Sequence, residues 1–321
     1  MNVLKSKKGI VVAYIASIVL LLTLFTACIF PALTAGRPSA KLHGEDSENV
    51  IVYLEEAISV NIASPQAFVY DVSNDTIIFT KGEDKVVYPG STTKLLTALY
   101  ALSVLPADAV ITPGSELNLV KEGSSVAYIK SHHKLTVSML VEAMMIPSGN
   151  DAAYVLAAAA GRVIAKDESL DGIRAADIFM EGLNKYAKKI GLCGTYFTVP
   201  DGYAGAEHYT TTEDMAIIAR LAYKNDLITE YASKPSTDVV YASGHTNIWI
   251  NTNKLLDPES AYYSRYAKGL KTGSVDNEYS LVFSFVFDDG REYIAGVFGA
   301  ETKTARFEDA LKIIESLENN E

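Results

Sequence analysis

Cysteine is nearly missing from this sequence. Its 321 residues include only two cysteines. Cys28 lies inside the first apolar run and Cys193 stands alone, which excludes a disulfide framework. Histidine is scarce too, with five residues. No group of histidines and cysteines has metal-ligand spacing, the doublet His132-His133 is typical of a surface, and the pattern H-E-x-x-H is missing. We therefore expect no metal site.

Positive charge is also in short supply. The chain has 28 basic and 39 acidic residues, a formal net charge of −11. The first 36 residues hold three lysines and no acidic residue, which leaves 25 basic against 39 acidic residues and a net charge of −14 for the rest. Such a body repels phosphate backbones, and no basic stripe with interleaved aromatic residues occurs. These features argue against nucleic acid as a partner.

The composition that remains is that of a folded globular protein. Apolar residues make up 49% of the chain and charged residues 21%, a balance that does not indicate disorder. The length suffices for one large domain or two modest ones, and we find no internal repeat or low-complexity tract.

One long hydrophobic run lies near the N-terminus. Residues 9–30 carry no charge and follow three lysines, which indicates a secretory signal or a single membrane-spanning helix. The lysines hold the N-terminus in the cytoplasm, so the rest of the chain is exported. The run is long for a signal peptide, which favours a retained anchor over cleavage after Ala35, and lipid attachment at Cys28 is the weaker alternative. We assign three segments: a signal peptide or N-terminal membrane anchor at 1–36, a polar tether and lead-in at 37–60, and the functional domain at 61–321.

The pattern of the domain predicts strands, then helices, then strands again. Two short β-type runs joined by a turn predict an early hairpin, and two later runs flanking Asp288-Asp289-Gly290 predict another. An alanine-rich middle at 137–225 has helical periodicity. This order predicts an α+β fold in which a helical subdomain is inserted into an antiparallel sheet. The predicted strands are 67–70, 76–79, 279–287 and 292–298, and the predicted flanking helices are 91–105 and 305–317.

Ser91-Thr92-Thr93-Lys94 opens the first predicted helix. Residues three apart lie on the same helical face, so Lys94 can take the proton that makes the Ser91 hydroxyl a nucleophile. Burial or a nearby cation would lower the lysine pKa enough for that role. About one S-x-x-K string is expected by chance in a chain of this length. The second string, 131–134, is rejected because Thr136 is expected to cap the next helix, which leaves Ser131 in a polar connection.

Ser148-Gly149-Asn150 precedes an apolar helix at 152–160. In the structural interpretation, Ser148 or Asn150 caps that helix, and this motif taken alone favours it. In the functional interpretation, Ser148 relays a proton and Asn150 hydrogen-bonds amide groups of a substrate.

Lys271-Thr272-Gly273 leads into the late strands. The structural interpretation is a loop that carries a lysine. The functional interpretation is an edge strand beside the site, where Lys271 supplies positive charge, Thr272 a hydroxyl, and Gly273 room for a substrate backbone. Three such motifs in this order, on a helix, a loop and a strand, are not expected by chance.

The three motifs together resemble the low-molecular-mass penicillin-binding proteins, which are serine-type D-Ala-D-Ala carboxypeptidases. The similarity runs from about residue 64 to 317 and implies a β-lactamase/transpeptidase-like fold, an antiparallel sheet flanked by helices. Many members carry a further β-rich domain and a C-terminal anchor, so we expect the N-terminal segment to be the anchor here. Four further segments match the family and are expected to hold loops and helix ends in place, namely 200–202, 208–211, 251–256 and 306–309.

The resemblance implies acyl transfer without a cofactor. Lys94 would take the Ser91 proton as Ser91 attacks the carbonyl between two D-alanines, and the backbone N–H groups of Ser91 and Ser274 would bind the oxyanion. Lys271 and Thr272 would hold the terminal carboxylate of the substrate. The implied partners are peptidoglycan stem peptides ending in D-Ala-D-Ala and β-lactams as covalent inhibitors. The implied location is the extracytoplasmic face of the bacterial membrane or the cell wall.

Two alternatives stay open at this point. One is a β-lactamase or endopeptidase on the same fold. Gly149 stands where class A β-lactamases have aspartate and no E-x-x-L-N follows, so slow β-lactam turnover is expected. The other is a non-catalytic, membrane-tethered muropeptide or β-lactam sensor, although the three motifs are intact. A hydrolase with a Ser-His-Asp triad is discounted, because the elbow G-x-S-x-G is missing.

Overall fold

A six-stranded sheet organises the chain. The computed structural model describes residues 52–53, 58–83 and 85–319, which belong to the compact unit Lys41–Glu321. The strands are β1 (Val52–Tyr53), β2 (Gln66–Asp71), β3 (Thr76–Lys81), β4 (Val110–Ile111), β5 (Leu135–Thr136), β6 (Ser236–Val240), β7 (Thr246–Ile250), β8 (Ala267–Val275), β9 (Glu278–Val286) and β10 (Glu292–Ala300).

The main sheet has the order β1-β3-β2-β10-β9-β8. Strand β1 runs parallel to β3, and every other neighbouring pair is antiparallel. The predicted hairpins are therefore confirmed as β2–β3 and β9–β10. Strand β8 lies at the edge of the sheet, as expected for the strand that carries Lys271-Thr272-Gly273. Two small sheets pair β4 with β5 and β6 with β7.

Seven α-helices lie within the described residues. Four of them begin at a side-chain cap. The Thr136 hydroxyl accepts a hydrogen bond from Met139 N, as predicted, and the Thr211 hydroxyl accepts one from Asp214 N. The helices are α1 (Lys94–Val104), α2 (Val137–Met145), α3 (Asn150–Ala165), α4 (Gly172–Lys189), α5 (Thr212–Tyr223), α6 (Asp226–Ala232) and α7 (Ala305–Glu318).

The sheet separates two hydrophobic cores. Side chains alternate between its faces along each strand, so Phe68 and Tyr70 of β2 pack in the core with helices α1–α6. Ala67 and Val69 of the same strand pack with α7, through Phe307 and other residues, on the opposite face. This arrangement confirms the predicted α+β fold with its helical subdomain.

The predicted N-terminal anchor at 1–36 lies outside the described residues, as does most of the predicted tether. Among residues 52–53, 58–83 and 85–319, no helix has the length and apolar character needed to span a membrane.

Candidate active site

Ser91 and Lys94 meet at the first turn of α1. Ser91 lies in a short 3-10 helix, Gly90–Thr93, that continues directly into α1. The Lys94 side chain is fully buried, and its Nζ lies 2.8 Å from the Ser91 Oγ. The same amine donates to the Asn150 Oδ1 at 2.7 Å and to the Asp201 carbonyl oxygen at 2.9 Å. Three acceptors therefore hold the amine against the serine hydroxyl.

The environment of Lys94 suits a base. Burial lowers the pKa of its amine to about 8, although the carboxylates of Asp201 and Asp151 oppose that change. At pH 7 about a tenth of such an amine is neutral, several hundred times more than for an ordinary lysine. A base is most effective when its pKa is near the working pH. Desolvation, more than any neighbouring charge, prepares Lys94 to accept a proton.

The Asn150 side chain contacts Lys94 and does not cap helix α3. The N-cap of α3 is Gly149, and neither the Ser148 nor the Asn150 side chain caps this helix, so the capping interpretation is wrong. The Asn150 side chain is buried against Lys94 instead. Ser148 is buried with a left-handed backbone, φ 63°, which is strained for a residue with a Cβ. Its hydroxyl is not among the three acceptors of the Lys94 amine.

Asp151 directly follows the Ser148-Gly149-Asn150 motif but is not part of it. Its buried carboxylate accepts hydrogen bonds from the backbone of Ala127 at 2.9 Å and Ile129 at 2.8 Å. Burial raises the pKa of this carboxyl, and the backbone donors oppose the shift. The carboxylate thereby ties the 125–129 loop to the start of α3, where Asn150 contacts Lys94.

The edge strand β8 brings a second buried lysine to the site. The Lys271 side chain is fully buried, and its Nζ donates to the Thr272 carbonyl at 3.0 Å. Burial and then the charges of Lys94 and Arg306 hold the pKa of Lys271 well below its usual range. The Thr272 hydroxyl shares a 2.6 Å hydrogen bond with that of Thr252.

Arg306 supports this strand from α7. Its Nη1 donates to the Gly273 carbonyl at 2.7 Å and to the Ser274 hydroxyl at 3.3 Å. Its Nε is buried without a hydrogen-bond partner, and burial lowers the pKa of the guanidinium to about 10. The charges of Lys271 and Arg306 are therefore poorly compensated by protein acceptors, as expected where an anion binds.

Two glycines let the turn that carries Ser91 lie directly against β8. A Cβ on Gly90 would lie 2.7 Å from the Ser274 backbone nitrogen, and one on Gly273 would lie 2.4 Å from the Pro89 carbonyl oxygen. Gly90 also has φ 51°, which favours glycine. The close neighbour that requires glycine at position 273 is thus the Pro89 backbone, whereas room for a substrate was the predicted reason.

The 200–211 segment contacts Lys94 through the Asp201 carbonyl oxygen. Gly202, φ 79°, packs so closely on the Gly90 carbonyl that a Cβ would overlap it at 1.9 Å. This contact delivers the Asp201 carbonyl to Lys94. For 200–202 and 208–211 the sequence predicts only a role in holding loops and helix ends, and the backbone of 200–202 contributes more than that. No residue-type signal reveals this contact, because the contributing atom is a main-chain oxygen.

His208 plays the structural part that was expected. Its Nδ1 accepts a hydrogen bond from the Thr198 backbone at 3.0 Å, so Nε2 donates to the Thr93 hydroxyl at 2.8 Å. The ring is buried and stacks on Phe197 with centroids 4.6 Å apart. Burial and the Lys94 charge lower the pKa of His208 to about 3. It is therefore neutral near pH 7 and fixes the 3-10 turn that carries Ser91.

Comparison with known proteins agrees with this geometry. The sequence profile of the peptidase S11 family, D-alanyl-D-alanine carboxypeptidase, matches residues 53–302. A D-alanyl-D-alanine carboxypeptidase of Streptomyces sp. strain K15 is 32% identical over 266 residues, 79% of this chain and 86% of its own length. D-alanyl-D-alanine carboxypeptidase DacF of Bacillus subtilis is 28% identical over 76% of this chain, which spans 60% of that relative.

Solved structures show the same similarity. The streptomyces K15 DD-transpeptidase superposes with a TM-score of 0.70 at 30% identity, over 80% of this chain and 97% of its own. Penicillin-binding protein D2 of Listeria monocytogenes, in an ampicillin-bound form, gives a TM-score of 0.64 at 26% identity, over 80% of this chain and 98% of its own.

Proposed function

Because the chain belongs to the peptidase S11 family of D-alanyl-D-alanine carboxypeptidases, we propose that its active site removes the terminal D-alanine of peptidoglycan stem peptides through an acyl intermediate on Ser91. The fold is the β-lactamase/transpeptidase-like one that the resemblance implied. One observation carries the assignment of the site: a fully buried lysine amine lies 2.8 Å from the hydroxyl of the serine one turn earlier.

In the proposed first step, the neutral Lys94 amine accepts the Ser91 proton. The Ser91 oxygen then bonds to the carbonyl carbon between the two D-alanines, and the C–N bond breaks as the leaving amine takes up a proton. The oxyanion would be bound by the N–H groups of Ser91 and Ser274, donors worth about 3 kcal/mol each in other acyl-transfer enzymes. The close approach of Gly90 to the Ser274 nitrogen supports this placement. Water then hydrolyses the acyl-serine.

We assign the terminal carboxylate of the substrate to Lys271 and Thr272. The buried, poorly compensated charges of Lys271 and Arg306 support this assignment. A carboxylate placed there raises the pKa of Lys271 again, because an opposite charge favours the protonated amine. The bound carboxylate would therefore face a fully charged lysine, even though burial by itself lowers the pKa of Lys271.

Ser148 and Asn150 complete the proposed machinery. The Asn150 carbonyl oxygen holds Lys94, which leaves its amide N–H groups to donate to a substrate carbonyl. Ser148 would relay the proton between Lys94 and the leaving amine. The edge position of β8 supports pairing of the substrate backbone with Gly273 and Ser274.

The working place of this domain is proposed to be outside the cytoplasm, where peptidoglycan lies. The apolar run at 9–30, which lies outside the described residues, would export the domain and either anchor it or be removed.

The test is D-alanine release from diacetyl-Lys-D-Ala-D-Ala by the full chain and by its Ser91→Ala variant. Release by the parent alone is the expected result, together with labelling of the parent but not the variant by a fluorescent penicillin. Labelling without release would favour a sensor that binds and does not turn over. Rapid release of hydrolysed penicillin would favour a β-lactamase.

A further inference from the structure

Three of the five histidines in the chain meet in space. His132 and His133 lie just before β5, and His245 lies in the turn between β6 and β7. The ring centroids are 4.6 Å apart for His132 and His133, 5.0 Å for His132 and His245, and 4.6 Å for His133 and His245. One nitrogen from each ring lies within 4.8 Å of the other two. The group cannot be recognised in the sequence, because His245 is far along the chain from His132-His133.

We propose that His132, His133 and His245 bind one divalent transition-metal ion, with Zn²⁺ as the probe. Imidazole nitrogen is a preferred ligand of Zn²⁺, Cu²⁺ and Ni²⁺, and three protein ligands leave a fourth position for water or an outside group. Ligands at about 2.0–2.1 Å in a tetrahedral site are about 3.4 Å from one another. The ligand atoms, which lie within 4.8 Å of one another, must therefore approach by up to about 1.4 Å, through movement of the exposed His132 and His245 side chains.

Surrounding hydrogen bonds orient two of the rings. The Ser243 Oγ accepts from the Lys134 backbone at 3.1 Å and lies 3.2 Å from the Nδ1 of His245. Donation by this Nδ1 to Ser243 leaves the Nε2 of His245 as the ligand atom. Such partners fix the tautomer and direction of metal-binding histidines. The serine also ties the β6–β7 turn to the segment that carries the doublet.

His133 is the weaker ligand of the three. Its Nδ1 accepts from the Lys130 backbone at 3.1 Å, so the neutral ring carries its proton on Nε2. Ligation through Nε2 moves that proton to Nδ1, and ligation through Nδ1 uses its lone pair for the metal, so either mode breaks the hydrogen bond from the Lys130 N–H. The affinity should accordingly depend most on His132 and His245. The absence of a carboxylate from the group also disfavours Mg²⁺ and Ca²⁺, which take oxygen ligands.

A bound ion would join residues 132–133 to the β6–β7 hairpin, and this hairpin contacts the 125–129 loop beside the candidate active site. Trp249 Nε1 donates to the Ala127 carbonyl at 3.2 Å and Asn247 Nδ2 to the same oxygen at 3.0 Å. Ala127 is one of the residues that Asp151 holds. Trp249 is the only tryptophan in the chain, and its indole is a reporter of the hairpin.

The test is equilibrium dialysis of Zn²⁺ against the full chain prepared without a polyhistidine tag. The parent should take up one Zn²⁺ saturably, and His132→Ala and His245→Ala should each weaken binding by at least about tenfold. His43→Ala, at a histidine outside the described residues, is the matched control and should bind like the parent. Zn²⁺ should also raise the melting temperature of the parent and of His43→Ala more than that of the two variants.

Cu²⁺ binding to the parent tests the same site without any substitution. Cu²⁺ at one equivalent should show nitrogen hyperfine coupling in its electron paramagnetic resonance spectrum and should quench Trp249 fluorescence. A spectrum with oxygen ligands only, no saturable Zn²⁺ uptake, or equal affinity in His132→Ala, His245→Ala and the parent would overturn the proposal.

Discussion

The Lys94 amine is buried away from the water that normally stabilises its charged form. Its burial costs free energy for the ammonium form, and the surrounding acceptors are a hydroxyl, an amide oxygen and a main-chain carbonyl, none of which carries a full negative charge. At the residue scale, desolvation is therefore the main cause of the lowered pKa of Lys94. Burial is also the main reason why the pKa values of Lys271 and Arg306 are lowered.

Lys94→Ala should lower the rate of Ser91 acylation by about 10²- to 10⁴-fold, the usual contribution of a positioned base. Stopped-flow labelling with a fluorescent penicillin measures this rate. The matched control is Lys134→Ala, since Lys134 is the exposed lysine of the rejected S-x-x-K string and should acylate like the parent. Near-normal acylation of the Lys94 variant would show that another group takes the proton.

The acylation rate should also depend on pH in one direction. Burial lowers the pKa of Lys94 to about 8, and the deprotonated amine is the active form. The rate should therefore climb about tenfold per unit below pH 8 and level off above it. A profile of the acylation rate from pH 6 to 9 checks this, and a rate that falls as the pH rises from 6 to 8 contradicts the assignment.

Lys271→Ala should weaken recognition of a free terminal carboxylate. Truncating one partner of a buried charge pair costs about 2–5 kcal/mol, so kcat/KM for a D-Ala-D-Ala peptide should fall about 30-fold or more. The parent should prefer this peptide to its C-terminal amide, and the variant should lose that preference. Lys268→Ala, at an exposed lysine on the same strand, is the control, and unchanged kinetics in the Lys271 variant would remove Lys271 from the binding role.

At the scale of elements, the site depends on how closely the 3-10 turn before α1 packs on the edge strand β8. Arg306 of α7 holds that strand through the Gly273 carbonyl, and glycines at the contact bring the two backbones together. Close backbone packing, supported by Arg306, therefore brings the turn that carries Ser91 against the Ser274 nitrogen.

Gly273→Ala should disturb this contact. Its Cβ would lie 2.4 Å from the Pro89 carbonyl oxygen, so we expect a loss of stability of about 1–3 kcal/mol in urea unfolding. Acylation should slow by about 10- to 100-fold, because a shift of 1 Å at a reacting group has effects of this size. Gly205→Ala, where a Cβ meets nothing within 4 Å, should change neither quantity. Parent-like acylation of the Gly273 variant would show that β8 does not position the nucleophile.

At the scale of the whole molecule, the sheet lies between two cores. The site lies where the helical subdomain meets the edge strand β8. Ser91 comes from the start of α1, Asn150 from α3, and Lys271 from β8. The proposed acylation site thus combines groups from distant parts of the chain, which the fold brings to one place.

Penicillin should remain on Ser91 far longer than the acyl group of the peptide. The sequence has no E-x-x-L-N motif to activate water against the β-lactam ester. Chasing the labelled protein with unlabelled drug should leave most label bound after the time of many peptide turnovers. Loss of label at the rate of peptide turnover would contradict this expectation.

The sequence by itself determined what depends on near neighbours. A serine and a lysine three residues apart must share one helical face, Thr136 caps the helix that follows it, and the hairpins follow from alternation and turn residues. The tertiary structure alone decided the placement of the Asp201 carbonyl, the role of Asp151, the contact of Arg306 with β8, and the meeting of His245 with His132-His133. Main-chain oxygens carry no residue-type signal, and contacts between segments far apart in the chain are set by packing of the whole sheet and its helices.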